Sequence, residues 1–159
     1  MLQYQIRTIQ PQDNKEVESV IRTCLIEYGA NHEGTAWADP DLGKFSEVYA
    51  KPASEYWVAT VNSKVVAGVG IGPLLGAEGV CELQKMYCLK EYRGAGIANA
   101  LIQKALDFAQ KYYDRCYLET LPNMLRAQAF YECHGFTRTM QPLVTTEHFA
   151  CDVRYIKDL

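Results

Sequence analysis

The sequence predicts an α/β domain with a mixed central sheet flanked by helices, and three stretches carry that expectation. Residues 81–89 alternate Cys81, Leu83, Lys85 and Tyr87 with Glu82, Gln84, Met86 and Cys88, the period of a strand with both faces occupied. After Arg93-Gly94-Ala95-Gly96, apolar residues recur at Ile97, Ala98, Leu101, Ile102, Ala105, Leu106, Ala109 and Tyr112, the continuous face of a helix. Residues 115–120 then read as another strand, and a strand, helix, strand succession of this length forms a parallel crossover unit.

The remaining elements follow in order. Residues 3–9 read as a strand with Tyr4, Ile6 and Thr8 on one face, ended by Pro11. Asp13 followed by Glu16 resembles a capping box, and Val17, Val20, Ile21, Cys24, Leu25 and Tyr28 mark the buried stripe of a first helix, stopped by Gly29. Residues 30–40 show no period and read as a loop that contacts substrate. Residues 41–50 suggest a short second helix with Leu42, Phe45 and Val48 inward. The β-rich runs 56–61 and 64–71 flank Asn62-Ser63 as a hairpin, the second weakened by Gly68, Gly70 and Gly72. After the strand at 115–120, Pro122-Asn123 opens a helix with Met124, Ala127, Tyr131 and His134 on one side, terminated by Gly135. Residues 136–140 and 148–156 are the closing strands. The order is β-α-α-β-β-β-α-β-α-β-β.

At 159 residues the chain reads as one domain, residues 1–159, long enough to bury a core without staples. A net charge of −3 argues against sequence-independent nucleic-acid binding, which needs a basic surface. The six cysteines include no Cys-x-x-Cys and no histidine pair at metal spacing, so free thiols in a reducing cytoplasm are expected, with no metal. The first residues lack a basic segment followed by an apolar run, so no signal peptide is expected. The most apolar region, residues 65–80, is interrupted by glycines and Pro73 and is too short to span a bilayer.

Between the strand at 81–89 and its helix lies the chemically suggestive stretch. Two glycines let the backbone turn and bring bare N–H groups close to a ligand, and the helix start adds unpaired donors and a positive dipole end. Gly-x-Gly also serves simply to make tight turns. Read as an anion cradle, the loop suits a phosphate or pyrophosphate. It lacks the Gly-Lys-Ser/Thr ending of a nucleotide P-loop, and Asn99 stands where the dinucleotide fingerprint has its third glycine. Arg93, Gly96 and Ala98 instead match the Arg/Gln-x-x-Gly-x-Gly/Ala loop of the GNAT family of N-acetyltransferases. Phe130-Tyr131-Glu132-Cys133-His134-Gly135-Phe136 resembles that family's Leu-Tyr-x-x-x-Gly-Phe signature, one helix and one strand later. The resemblance covers about residues 56–138 and implies the acyl-CoA N-acyltransferase fold, whose element order is the one above.

The resemblance also implies roles. Arg93, Gly94, Ala95, Gly96, Ile97 and Ala98 would hold the pyrophosphate of acetyl-CoA. Met86, Tyr87 and Cys88 would line its pantetheine arm, a main-chain N–H there polarising the thioester; their side chains are otherwise simply core. Tyr131 matches the tyrosine that protonates the departing sulfur, the alternative being a core tyrosine with its hydroxyl satisfied by backbone. Glu82 stands where some members carry a general base, or is a solvated or lysine-paired strand glutamate; Glu119 substitutes if Glu82 faces away. Met124 occupies the place of a family asparagine that bonds the cofactor. Asn123, its neighbour, is a cofactor contact or a helix N-cap. Cys133 reads as packing rather than an acetyl carrier. Tyr28 and His32 either meet substrate or cap and cover the first helix.

The expected activity is direct acetyl transfer to a primary amine of a small molecule or protein. The alternatives are a non-catalytic acyl-CoA-binding module and an O-acyltransferase. Dimerisation is common in such folds, and no residue pattern here fixes a homodimer.

Overall fold

A computed structural model of the chain describes residues 1–144 and 150–159. It contains β1 (Gln5–Thr8), α1 (Asn14–Glu27), α2 (Phe45–Val48), β2 (Glu55–Val61), β3 (Lys64–Pro73), β4 (Val80–Cys88), α3 (Ile97–Ala109), β5 (Arg115–Thr120), α4 (Leu125–Cys133), β6 (Thr137–Thr139) and β7 (Val153–Asp158). This is the succession of helices and strands read from the sequence. The strands form a 7-stranded sheet in the order β1-β2-β3-β4-β5-β7-β6. β4 and β5 run parallel across the α3 crossover, and every other neighbouring pair is antiparallel.

Alternation along the strands supplies two apolar faces. On one, Leu101, Ile102 and Ala105 of α3 are buried in a cluster with Trp57, Ala59 and Leu83. On the other, Val17, Ile21 and Leu25 of α1 are buried with Phe45, Tyr56 and Val58. Each large aliphatic side chain gains about 1.5–3 kcal/mol on full burial, so packing rather than helix propensity holds α1 and α3 to the sheet. Among the described residues no helix is long and apolar enough to cross a membrane.

Several local expectations are corrected. Asp13 and Glu16 do not cap α1 together. A 3-10 turn, Pro11–Asp13, precedes the helix, and Asp13 has a helical backbone (φ −82°, ψ −15°) that takes its side chain away from the following N–H groups. Its carboxylate instead accepts from the Gln10 N–H at 2.8 Å and pairs with Arg7 at 2.6 Å, while Glu16 accepts from the Val65 N–H at 2.9 Å. The second helix shrinks to the single turn Phe45–Val48; Phe45 within it and Leu42 ahead of it are buried, and Val48 is half-buried. Tyr112 lies in the turn beyond α3 and is exposed. α4 starts at Leu125, with Met124 as its N-cap. β7 begins at Val153; His148 and Phe149, expected in that strand, lie outside the described residues.

The glycines of β3 do not shorten it; the strand runs for 10 residues. At Gly68 and Gly70 they make room for tyrosine rings of the α1-side cluster. An added Cβ at Gly68 would sit 2.6 Å from the Tyr56 ring, and one at Gly70 would sit 2.8 Å from the Tyr49 ring.

β4 also departs from simple alternation. Lys85 has φ +51°, and the register passes from Gly70↔Gln84 to Gly68↔Tyr87, so Lys85 and Met86 together oppose Val69. This β-bulge swaps the faces beyond it. Met86 and Cys88 now pack with Cys81 and Leu83 on the α3 side, whereas Tyr87, expected on the side of Leu83, packs with the α1 cluster. On its other edge β4 pairs with β5 only from Val80↔Arg115 to Glu82↔Tyr117. Both strands continue past that point, and the sheet opens between them.

Candidate active site

Two cavities meet where β4 and β5 part. The larger, about 320 Å³, runs between Met86, Tyr87 and Cys88 on one side and Phe130, Tyr131 and Ala127 of α4 on the other, with Arg93, Gly94 and Ala98 at one end. The smaller, about 90 Å³, lies toward α1 and is lined by Glu82, Gln84, Lys85, Glu119, Thr120, Met124 and Cys151, among others. Met86, Tyr87, Ala127 and Tyr131 line both.

The head of the larger channel is the loop before α3. Gly94 and Gly96 have φ of +80° and +87°, and Gly96 is the N-cap of the helix. In that left-handed conformation a side chain is strained, so glycine is required by the turn itself. The backbone N–H groups of residues 94–99 donate to no main-chain carbonyl among the described residues; the first such bond is from Ala100 to the Gly96 carbonyl at 3.1 Å. An added Cβ at Gly94 meets no atom within 4 Å, so the loop faces open space. Bare donors around an open concavity at a helix start suit a phosphate-bearing ligand. Ala95 and Ile97 can contribute only main chain here, and the Ile97 side chain is buried in the core.

Arg93 lines the head of the channel and also braces it. Its guanidinium grips both carboxylate oxygens of Glu27, at 2.6 and 2.9 Å, and its Nε donates to the Cys88 carbonyl at 2.9 Å. The cation thus clamps α1 to the end of β4 and fixes the loop from beneath. Hydrogen bonds from Arg93, aided by the charges of Arg93 and Lys90, hold the Glu27 carboxyl below its usual range. A depressed folded pKa stabilises the protein fully above the ordinary carboxylate range, and that stabilisation is lost as pH falls through the folded value. The urea midpoint should therefore fall between about pH 5 and 3, and Glu27→Gln should flatten that fall. An unchanged slope in the variant would remove this pair from the acid response.

Tyr131 is buried among Phe130, Phe136 and Tyr155, at ring separations of 5.7, 6.0 and 6.2 Å. Among the described residues no hydrogen bond occupies its hydroxyl. Burial, chiefly, pushes that hydroxyl well above a free phenol, so it stays protonated and able to donate. Opposite it, the Lys85 carbonyl at the bulge accepts from the Tyr56 hydroxyl at 2.8 Å. C=O and N–H of one trans peptide point in opposite directions, so this bond turns the Met86 N–H away from Tyr56 and the α1 side.

Both candidate bases line the smaller cavity. Glu82 accepts from Gln84 Nε2 at 2.6 Å. The Glu119 side chain is 5% exposed; it accepts from the Tyr117 hydroxyl at 2.9 Å and lies 3.6 Å from Arg154 Nε. Lys85 crosses the pocket wall to pair with Asp39 at 2.6 Å. Cys151 and Cys88 are pushed up by burial, to about 12 and about 11, and remain thiols. Cys133 is exposed and packs against no core, contrary to expectation.

Tyr28 lines the larger channel and not the smaller cavity, and Arg93 lies 5.9 Å from its ring centroid. Asn123 does not cap α4. It donates to the Tyr28 carbonyl at 2.9 Å and lines the channel mouth beside Arg126 and Lys90. His32 is exposed, its ring Nδ1 2.6 Å from the Glu33 carbonyl, and it lines neither cavity. Gln84, Lys85, Thr120 and Arg126 line the cavities without standing out in the sequence as site residues, while Met124, at the family asparagine's place, lines the smaller one. Arg126 was reachable from sequence, lying four residues before Phe130 on one helix face; Gln84 and Lys85 depend on the bulge.

Comparison with known proteins gives the family and the fold. The Acetyltransferase (GNAT) family matches residues 19–136. Over 157 residues the chain is 41% identical to the uncharacterized N-acetyltransferase YjgM of Escherichia coli (strain K12), covering 97% of this chain and 94% of that protein. An acetyltransferase of the GNAT family from Staphylococcus aureus Mu50 has the same fold, with TM-score 0.86 at 22% identity over 98% of this chain and 99% of that one. The PaiA N-acetyltransferase of Thermoplasma acidophilum, solved in complex with coenzyme A, matches with TM-score 0.78 at 15% identity over 99% and 100% of the two chains. Parted parallel strands with a donor-rich loop at the head of the crossover helix define an acyltransferase fold. The chain belongs to the GNAT family and is an acetyltransferase.

Proposed function

We propose that the protein transfers an acetyl group from acetyl-CoA directly to a primary amine, on a small molecule or a protein. One observation carries the reading. A channel headed by bare N–H donors and a cavity holding two carboxylates share the Tyr131 wall, so a cofactor entering one and an amine entering the other meet there. The loop at residues 94–99 fits a pyrophosphate, and the coenzyme A bound by the PaiA relative supports that fit. Acetyl-CoA supplies a thioester carbonyl activated for attack. Glu82 takes the amine proton, directly or through water; a main-chain N–H at residues 86–88 steadies the carbonyl oxygen as charge develops; Tyr131 returns a proton to sulfur. A C–N bond forms as the C–S bond breaks.

An acetyl-transfer screen over pooled primary amines and alcohols, read by mass, tests this. Amide products support it. Ester products would replace it with O-acyl transfer, and coenzyme A binding without turnover would replace it with a binding module. The cradle has its own test. Gly96→Val places a β-branched residue at φ +87° and should weaken coenzyme A binding by well over tenfold, more than about 1.4 kcal/mol, in a protein that still folds. Calorimetric titration giving wild-type affinity would move the phosphates elsewhere.

A further inference from the structure

The glycines of β3 and the tyrosine above them serve a purpose the reaction outlined so far does not use. Tyr49 follows the short helix α2 and is buried, its ring lying over Gly70. Its hydroxyl reaches β4 and donates to Gln84 Oε1 at 2.7 Å, and Gln84 Nε2 in turn donates to Glu82 Oε1 at 2.6 Å. Gly72 leaves the space that Gln84 fills, since an added Cβ there would lie 3.2 Å from Gln84 Oε1.

We propose that Tyr49 and Gln84 are positioning residues that orient the Glu82 carboxylate toward the amine in the adjoining cavity. The proposal rests on the reading of Glu82 as the base. A primary amide can face a carboxylate with its NH₂ or, after a flip, with its oxygen; the second arrangement is repulsive. Tyr49 locks the first by filling the amide oxygen. Burial, chiefly, together with the charges of Glu82 and Asp39, pushes the Tyr49 hydroxyl far above a free phenol, so it remains a donor at every working pH. No proton passes along the relay. It fixes one carboxylate oxygen and leaves Glu82 a single preferred rotamer, which matters because small misplacements of a proton acceptor are costly in rate. The other charged and titratable groups around the same cavity are Lys85, paired with Asp39, Glu119, paired with Arg154, and Tyr117, whose hydroxyl feels the Glu82 charge.

A double-mutant cycle decides it, with wild type, Tyr49→Phe, Glu82→Gln and the double variant assayed on the pooled primary amines at saturating acetyl-CoA. Tyr49→Phe keeps the ring on Gly70 and should lower kcat about tenfold, with KM for acetyl-CoA within about twofold. In the Glu82→Gln background the same change should alter kcat by less than about twofold. An equal loss in both backgrounds, or none in the wild-type background, would overturn the relay and leave Tyr49 a packing residue. Wild-type turnover in Glu82→Gln alone would instead sink the base reading, and the relay with it. If Tyr49→Phe does not fold, as judged by circular dichroism, Gln84→Met carries the same cycle with the same expected outcomes.

Discussion

Glu82→Gln should lower acetyl transfer at neutral pH by about 100-fold, or about 2.7 kcal/mol of barrier, while leaving the protein folded. Folding is expected to survive because the substitution is isosteric and a carboxamide oxygen can still accept from Gln84. The chemistry is lost for a different reason. An aliphatic amine with a pKa near about 10.4 is almost wholly protonated at neutral pH, and the enzyme must remove that proton before nitrogen can attack. Without the base, the rate follows the free amine that solution provides. It should therefore climb about tenfold per pH unit toward the amine pKa, and the gap to wild type should close as pH rises. Rates measured from about pH 6 to 10 check the sign. A variant tracking wild type across that range would pass the role to Glu119 or to water. Glu119 would act there with Tyr117 and Arg154 beside its carboxylate.

What the sequence disclosed and what it concealed divide along physical lines. Periodicity is local, so the succession of elements, the crossover between β4 and β5 and the helix stripes ending in Ala109 were all legible. The loop at residues 93–98 and the signature around Tyr131 were legible too, because the glycine turn and the ring-bearing helix each need particular residues in a short span. The bulge at Lys85 was not. No residue type demands it, yet one extra residue exchanges the faces of Met86, Tyr87 and Cys88 and makes the two cavities what they are. Contacts between distant segments were equally hidden. Arg93 pairs with Glu27, 66 positions away, and no local pattern announces that clamp. The glycines of β3 read as weaknesses until Tyr49 and Tyr56 are found lying over them. Asp13 and Glu16 have the spacing of a cap, but the turn ahead of α1 and the backbone of Val65 use them first.

Tyr131→Phe should cost about 10- to 1,000-fold in kcat, or roughly 1.4 to 4 kcal/mol. The substitution keeps the ring that packs with Phe130, Phe136 and Tyr155, and the hydroxyl it removes bonds to no other described residue, so chemistry is separated from folding. The range is wide for a physical reason. A thiolate leaves more readily than an alkoxide, so a proton from Tyr131 assists the departure of sulfur without being indispensable, and water replaces part of its effect. Burial favours the neutral phenol, which means the hydroxyl is always loaded with a proton but gives it up only to a strongly basic partner. A thiol is more acidic than a phenol, so the hydroxyl acts first by donating a hydrogen bond to the sulfur as charge develops there, which also limits the size of the effect. Acetyl-CoA affinity should change much less than kcat, since the loop at residues 94–99 and the walls at Met86 and Cys88 are untouched. The pH profile should keep its acid limb, which belongs to the amine and its base, and lose rate uniformly above it. Single-turnover measurements, in which chemistry rather than product release sets the rate, give the deciding number. Wild-type turnover under those conditions would make Tyr131 a packing residue and require another acid at the junction of the two cavities.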